Sequence, residues 1–147
     1  MKYLLDTCVI SEIAKPVPDG KVMDWLHATP SELLLLSVIT IGEIRKGLTK
    51  LQDSKKKQGL TVWLSTLLKD YQARILPIDL AVADNWGLIQ GKAEMAGTPI
   101  SSIDGLIAAT AYTHNLIIVT RNEGDYSAAR VPIMNPWSEQ GDTRSED

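Results

Sequence analysis

Two stretches of this chain are apolar, short and uncharged: "LLLLSV" at residues 33–38 and "LIIVT" at 116–120. A strand with one wet face alternates apolar and polar residues, whereas a brief continuous apolar run suits a strand buried on both faces of a parallel sheet. A third apolar run begins the chain, with residues 2–5 predicted as a short strand ending at Asp6. Between these runs the period becomes helical. Val38, Ile41, Ile44, Leu48 and Leu51 recur every three or four residues, as do Leu60, Trp63, Leu64, Leu67, Leu68 and Tyr71. Strands alternating with helices predict a three-layer α/β fold, a mainly parallel central sheet flanked by helices.

The remaining elements follow from local signals. A helix from Thr7 to Lys15 stops before the turn-rich "PVPDG", and Val22, Trp25 and Leu26 mark a second short helix. "ARILPI" (73–78) reads as a strand, and Asp79 as the N-cap of a helix carried by Val82, Trp86, Ile89 and Ala93. A helix over 102–114 is expected to end at a left-handed cap on Asn115, and "RVPIM" (130–134) to form an edge strand. Trp25, Trp63 and Trp86 fall on apolar helix faces and are expected in the core, with Trp137 packing the C-terminal end onto the domain.

At 147 residues the chain suits one domain, which buries about two-thirds of the surface its unfolded form exposes. Residues 1–137 are read as that domain, and "SEQGDTRSED" (138–147) as an acidic, disordered tail. The tail decides how the net charge of −3 is read. Removing its four acids and one arginine from the 18 and 15 of the whole chain leaves fourteen of each sign. The body is therefore neutral, and acids gathered in one pocket would leave the rest of its surface positive. One cysteine, Cys8, excludes an internal disulfide, and with only His27 and His114 beside it there is no zinc ligand set. Cys8 itself is read as a small buried hydrophobe. No apolar run reaches the roughly eighteen residues of a membrane span, so a cytoplasmic protein is expected.

Four acids recur at strand ends and helix starts: Asp6 after the first strand, Glu43 in the helix after the second, Asp104 opening the helix before "LIIVT", and Asp125 after it. Ligands of open α/β sheets bind outside the carboxyl ends of the strands, where these acids would meet. Each also has a purely structural reading. "TIGE" and "SSID" fit the capping pattern of Ser or Thr followed three residues later by an acid, Asp6 fits an N-cap, and Asp125 a turn. Taken together they pose a further problem, because two carboxylates 4 Å apart repel by roughly 4 kcal/mol at an effective dielectric near 20. Protons or divalent cations must neutralise them. With no His or Cys in the set, the ligands are hard oxygens suited to Mg²⁺ or Mn²⁺, which can activate a water and shield a phosphodiester.

"LLDTCVISE", "LSVITIGEIRKG" (36–47), "IDGLIAATAYTHNL" (103–116) and "VTRNEGDY" followed by "NPW" (119–137) resemble a PIN-domain ribonuclease, specifically the VapC or FitB-like toxins of bacterial toxin–antitoxin pairs. The resemblance runs from Met1 to Trp137. It implies an endoribonuclease whose Mg²⁺ or Mn²⁺ is held by Asp6, Glu43, Asp104 and Asp125, with Asn122 in reserve for the fourth acid and Thr7 and Thr120 orienting ligands or water. It further implies a homodimer and a VapB-like antitoxin that blocks the pocket, builds a larger hetero-oligomer and supplies the DNA binding. Two departures stand out. Cys8 replaces the usual Asn, so polar support from that position is expected to be lost. Gly105 replaces the usual Ala after Asp104 and is expected to loosen that helix start.

Arg45, Lys46, Lys50 and Arg121 lie within a few residues of the acids and are read as contacts to RNA phosphates. "KKK" (55–57) is read as a solvated helix start or loop, and "GKAEMAG" lacks the residues of a phosphate loop. Two other functions compete with RNA cleavage. An aspartate-nucleophile phosphatase needs a second Asp two residues after Asp6, where Cys8 stands. A non-catalytic interaction module would have no need of acids at all four positions.

Overall fold

The computed structural model describes residues 1–138, so residues 139–147 of the expected acidic tail lie outside it. Five parallel strands form one sheet: β1 (Tyr3–Leu5), β2 (Leu34–Ser37), β3 (Ile75–Leu76), β4 (Ile117–Val119) and β5 (Ile133–Met134), in the order β3-β2-β1-β4-β5. Tyr3 pairs with Leu34 on one side and Ile117 on the other. The chain builds outward from β1 to β3 and then returns to place β4 on the opposite side of β1. The order therefore reverses between β1 and β4, where open α/β sheets carry their ligand crevice.

Both sheet faces are covered, which accounts for the unbroken apolar runs. Leu5, Leu34, Leu36, Ile117 and Val119 face the helices α1 (Thr7–Ile13), α2 (Gly20–Ala28), α3 (Val38–Thr49) and α4 (Lys55–Asp70) through Val9, Ile10, Val22, Ile44, Leu48, Leu64 and Leu67. Leu4 and Ile118 point the other way, into a second cluster with Ile107, Ala108 and Ala111 of α6 (Ser102–His114) and with Tyr126. Helix α5 (Leu80–Met95) packs on α6. The three-layer α/β reading thus holds, and no helix of the described residues is long and apolar enough to cross a membrane.

The caps account for the element boundaries. Asp79 accepts from Val82 N at 3.0 Å and starts α5, and Asn115 ends α6 in the left-handed conformation (φ 56°, ψ 51°). Ser54 caps α4 six residues before its first apolar position, Leu60, making Lys55–Lys57 a solvated helix start. Lys57 Nζ reaches back to Leu51 O at 3.0 Å. Trp25, Trp63 and Trp137 pack against the larger core as expected.

Three expectations need correction. Strand β3 spans only two residues, because Gln72–Arg74 form a 3-10 turn from which the Arg74 guanidinium donates to Leu34 O at 2.7 Å. "TIGE" is not a capping box, since Ser37 caps α3 by accepting from Ile39 N at 3.0 Å and Thr40 is fully buried inside the helix. Gly105 does not loosen α6. Ser101 caps that helix by accepting from Asp104 N at 3.1 Å, and Gly105 N donates to Ser101 O at 2.8 Å. A Cβ at Gly105 would run into Gln90 Oε1 and come within 3.1 Å of Trp86 Nε1, so the missing side chain lets α5 approach closely.

Candidate active site

Asp6 leaves β1 in extended conformation (φ −71°, ψ 161°), its N–H paired with Val119 O at 3.0 Å, so the β1–β4 ladder holds the residue at the carboxyl edge. Its side chain is 6% exposed. Oδ1 accepts from Thr7 N at 2.8 Å, capping α1, and Oδ2 accepts from the Thr120 hydroxyl at 2.8 Å. The capping reading of Asp6 is thus correct but incomplete, since one oxygen caps α1 and the other faces β4.

Around this carboxylate the neighbouring strand ends contribute in turn. Thr120, fully buried after β4, also accepts from Asn122 N at 3.0 Å, which ties the following turn to the Asp6 network. The Thr7 hydroxyl donates to Glu43 Oε1 at 2.6 Å and lies 3.5 Å from Thr40 Oγ1, linking α1 to α3. The polar support at Cys8 is not lost. Its Sγ accepts from Arg121 N at 3.4 Å and lies 3.5 Å from Thr120 Oγ1 and 3.9 Å from Asp6 Oδ2. Burial pushes the Cys8 thiol up, which keeps it protonated at neutral pH.

Burial also raises the Asp6 carboxyl above the ordinary 3.8, opposed by the Thr120 and Thr7 donors and the nearby Tyr126 hydroxyl, and reinforced by the charge of Asp104. Tyr126 is fully buried, with its hydroxyl against the Asp6 carboxylate but short of hydrogen-bond geometry. Burial first, then the charges of Asp6 and Asp104, push this phenol far up, so it stays protonated. No Lys or Arg of the described residues closes an ion pair on Asp6, Glu43 or Asp104; Lys15–Glu12 and Lys57–Asp53 are ion pairs elsewhere.

The structure couples Asp6 with Asp104 electrostatically and connects Asp6 to Glu43 through Thr7. It does not gather three acids closely enough, among the described residues, to form a metal-ligand set in this conformation. Asp125 is exposed on a 3-10 segment, Glu123–Ala129, with its N–H on Asn122 O at 3.1 Å. Arg45, Lys46 and Lys50 are exposed on or just past α3, and Arg121 lies over the Trp137 ring at 5.5 Å. A cleft of about 680 Å³ lies between α5, Tyr112 of α6 and Ser127–Arg130, and none of the four acids lines it.

Sequence reasoning missed Tyr126 and Thr40. Both are uncharged, and only the β1–β4 and α1–α3 contacts bring them near Asp6 and Thr7. One prediction follows from Thr7: Thr7→Val, nearly isosteric, removes the hydroxyl that holds Glu43 Oε1 and should cost about 1 kcal/mol of folding stability. Chemical denaturation checks this, and an unchanged stability would show that the Thr7–Glu43 bond does not tie α1 to α3.

The PIN domain family model matches residues 3–131. This chain belongs to the PIN-domain family. It is 42% identical over 135 residues to Toxin FitB of Neisseria gonorrhoeae, covering 91% of this chain and 97% of that protein. It is 37% identical over 138 residues to VapC ribonuclease Y4jK of Sinorhizobium fredii, covering 91% and 96%. The crystal structure of FitAcB from Neisseria gonorrhoeae superposes on this PIN domain with a TM-score of 0.87 at 42% identity, covering 92% of this chain and 98% of that one. A structure of FitAB bound to an IR36 DNA fragment matches with the same TM-score at 40% identity.

Proposed function

We propose that this PIN domain is a divalent-metal-dependent endoribonuclease and the toxin of a toxin–antitoxin pair, which cuts RNA and thereby arrests translation and growth. The observation that carries this reading is Asp6: a buried carboxylate at the topological switch point, with Asp104's charge against it and no cation of the described residues paired to it. Such a group favours an added cation over none. The donors are all oxygens, which fits Mg²⁺ or Mn²⁺ held by Asp6, Glu43 and Asp104, with Asp125 as fourth ligand and Asn122 as its substitute. A bound cation there supplies an activated water and shields charge developing on the phosphodiester.

The chain's own groups serve that chemistry. Thr7 and Thr120 orient Glu43 and Asp6, while Arg45, Lys46, Lys50 and Arg121 hold RNA phosphates, adding affinity without reading sequence. The family resemblance to a protein named toxin and one named ribonuclease supports the same reading. So does the FitAB–DNA complex for the partners, a homodimer bound by a VapB-like antitoxin in a larger hetero-oligomer that meets DNA through the antitoxin. A cytoplasmic setting follows from RNA as the substrate.

The test is direct. Purified protein should cleave RNA with Mg²⁺ or Mn²⁺ and stop when EDTA is added, and Glu43→Gln should fall to background. Expression without antitoxin should halt growth, and Glu43→Gln should relieve the arrest. Cleavage by Glu43→Gln at the wild-type rate would overturn the reading, and growth arrest by that variant would point to an interaction module.

A further inference from the structure

Tyr126 presents an unusual buried group. Its ring is fully enclosed among Leu4, Ile107, Ala108 and Ile118, where a phenylalanine would fill the same space. Its hydroxyl is sealed from solvent and makes no hydrogen bond, although buried polar atoms are nearly always paired. That hydroxyl lies close to the Asp6 carboxylate, with Asp104 also within electrostatic reach. The two Asp6 oxygens already accept from Thr7 N and the Thr120 hydroxyl, and a carboxylate has further lone pairs to offer. Tyr126 is therefore a buried donor next to the acid with no hydrogen bond closed on it.

We propose that Tyr126 is a positioning residue of the metal site, whose hydroxyl holds the Asp6 carboxylate in place for a divalent cation. This rests on Asp6 being a metal ligand, as in the reading above. A hydroxyl that lacks a partner in the metal-free protein adds nothing to folding there, so its removal separates metal binding from stability. Tyr126→Phe should weaken Mn²⁺ binding by about tenfold or more, the range found for partners of metal ligands, while the metal-free variant melts at or above the wild-type temperature.

The experiment measures Mn²⁺ binding by titration calorimetry, and metal-free melting by circular dichroism, for wild type, Tyr126→Phe and Asp6→Asn. Weakened binding by Tyr126→Phe with melting undiminished supports the assignment. Wild-type affinity in a folded Tyr126→Phe, with Asp6→Asn unable to bind, would overturn the Tyr126 assignment alone. A Tyr126→Phe that keeps wild-type affinity but melts lower would assign the hydroxyl to the fold and likewise overturn it. Failure of wild type to bind Mn²⁺ would overturn both this inference and the metal-dependent reading.

Discussion

Asp6→Asn is expected to lower metal-dependent RNA cleavage by more than about a hundredfold, beyond the effect of losing a ligand's hydrogen-bond partner, and yet to raise the melting temperature of the metal-free protein. The two effects share one cause. Asp6 is buried beside Asp104 with no ion pair from the described residues, and its carboxyl is raised above 3.8, chiefly by burial. A raised carboxyl favours the folded state only while protonated. That contribution is full below 3.8 and is lost as pH rises through the folded value. At neutral pH the ionised group therefore opposes folding, and asparagine, neutral and of similar shape, removes the opposition while its oxygen still caps α1.

The melting advantage of Asp6→Asn should be greatest at neutral pH and vanish on acidification towards pH 3. Added Mn²⁺ should reverse the order, because a ligand that binds only the folded state stabilises it, and only the wild type keeps the proposed Asp6 ligand. A variant that melts lower than wild type at pH 7 without metal would show that the carboxylate is structural.

The second large effect is expected in the packing behind the site. Gly105→Ala should gain about 0.5–1 kcal/mol from helix propensity. The new Cβ, however, must displace Gln90 Oε1, and Gln90 is anchored by its Nε2 donating to Ile100 O at 2.6 Å. Losing that bond and orphaning a buried carbonyl costs about 1–3 kcal/mol, so a net loss of roughly 1–2 kcal/mol is expected. Gln90→Ala removes the obstructing amide, and in that background Gly105→Ala should become stabilising. Chemical denaturation of the four proteins in this cycle measures the change of sign directly. A loss of equal size in both backgrounds would place the conflict elsewhere, for instance at the Trp86 ring, which also lines the Cβ position.

This pair shows which parts of the fold were legible in the sequence. Asp79 and Asn115 are local signals, since a cap depends on its own few neighbours, and both sit where their residue types predict. "LIIVT" and "LLLLSV" carried the sheet because burial on both faces leaves no polar alternation to misread. The "TIGE" reading failed because the same residue types serve two purposes. Ser37, three residues earlier, had already capped α3, leaving Thr40 to be buried against Thr7. The end of β2 and the start of α3 overlap in "LSVIT", and apolar spacing alone does not separate them.

The site was legible only in part for a different reason. Asp6 and Glu43 are visible as charges at element boundaries, but what surrounds them is set by strand order. Thr120, 114 residues from Asp6, bonds it because β4 returns beside β1. Tyr126 follows the same strand and arrives at the same carboxylate, and no periodicity marks a buried tyrosine as different from a buried phenylalanine. Gly105, too, acquires its meaning only from α5, whose Gln90 occupies the space a side chain would need.

Asp6 at the β1–β4 switch point is expected to support RNA hydrolysis by an activated water. The most direct measurement is RNA cleavage in ¹⁸O-labelled water with Mn²⁺, followed by mass analysis of the product ends. Attack by water leaves one ¹⁸O on a linear terminal phosphate at each cut, and the account predicts this label, its dependence on Mn²⁺ and its loss in Asp6→Asn. Unlabelled 2′,3′-cyclic phosphate ends, formed equally in EDTA and by Asp6→Asn, would contradict it.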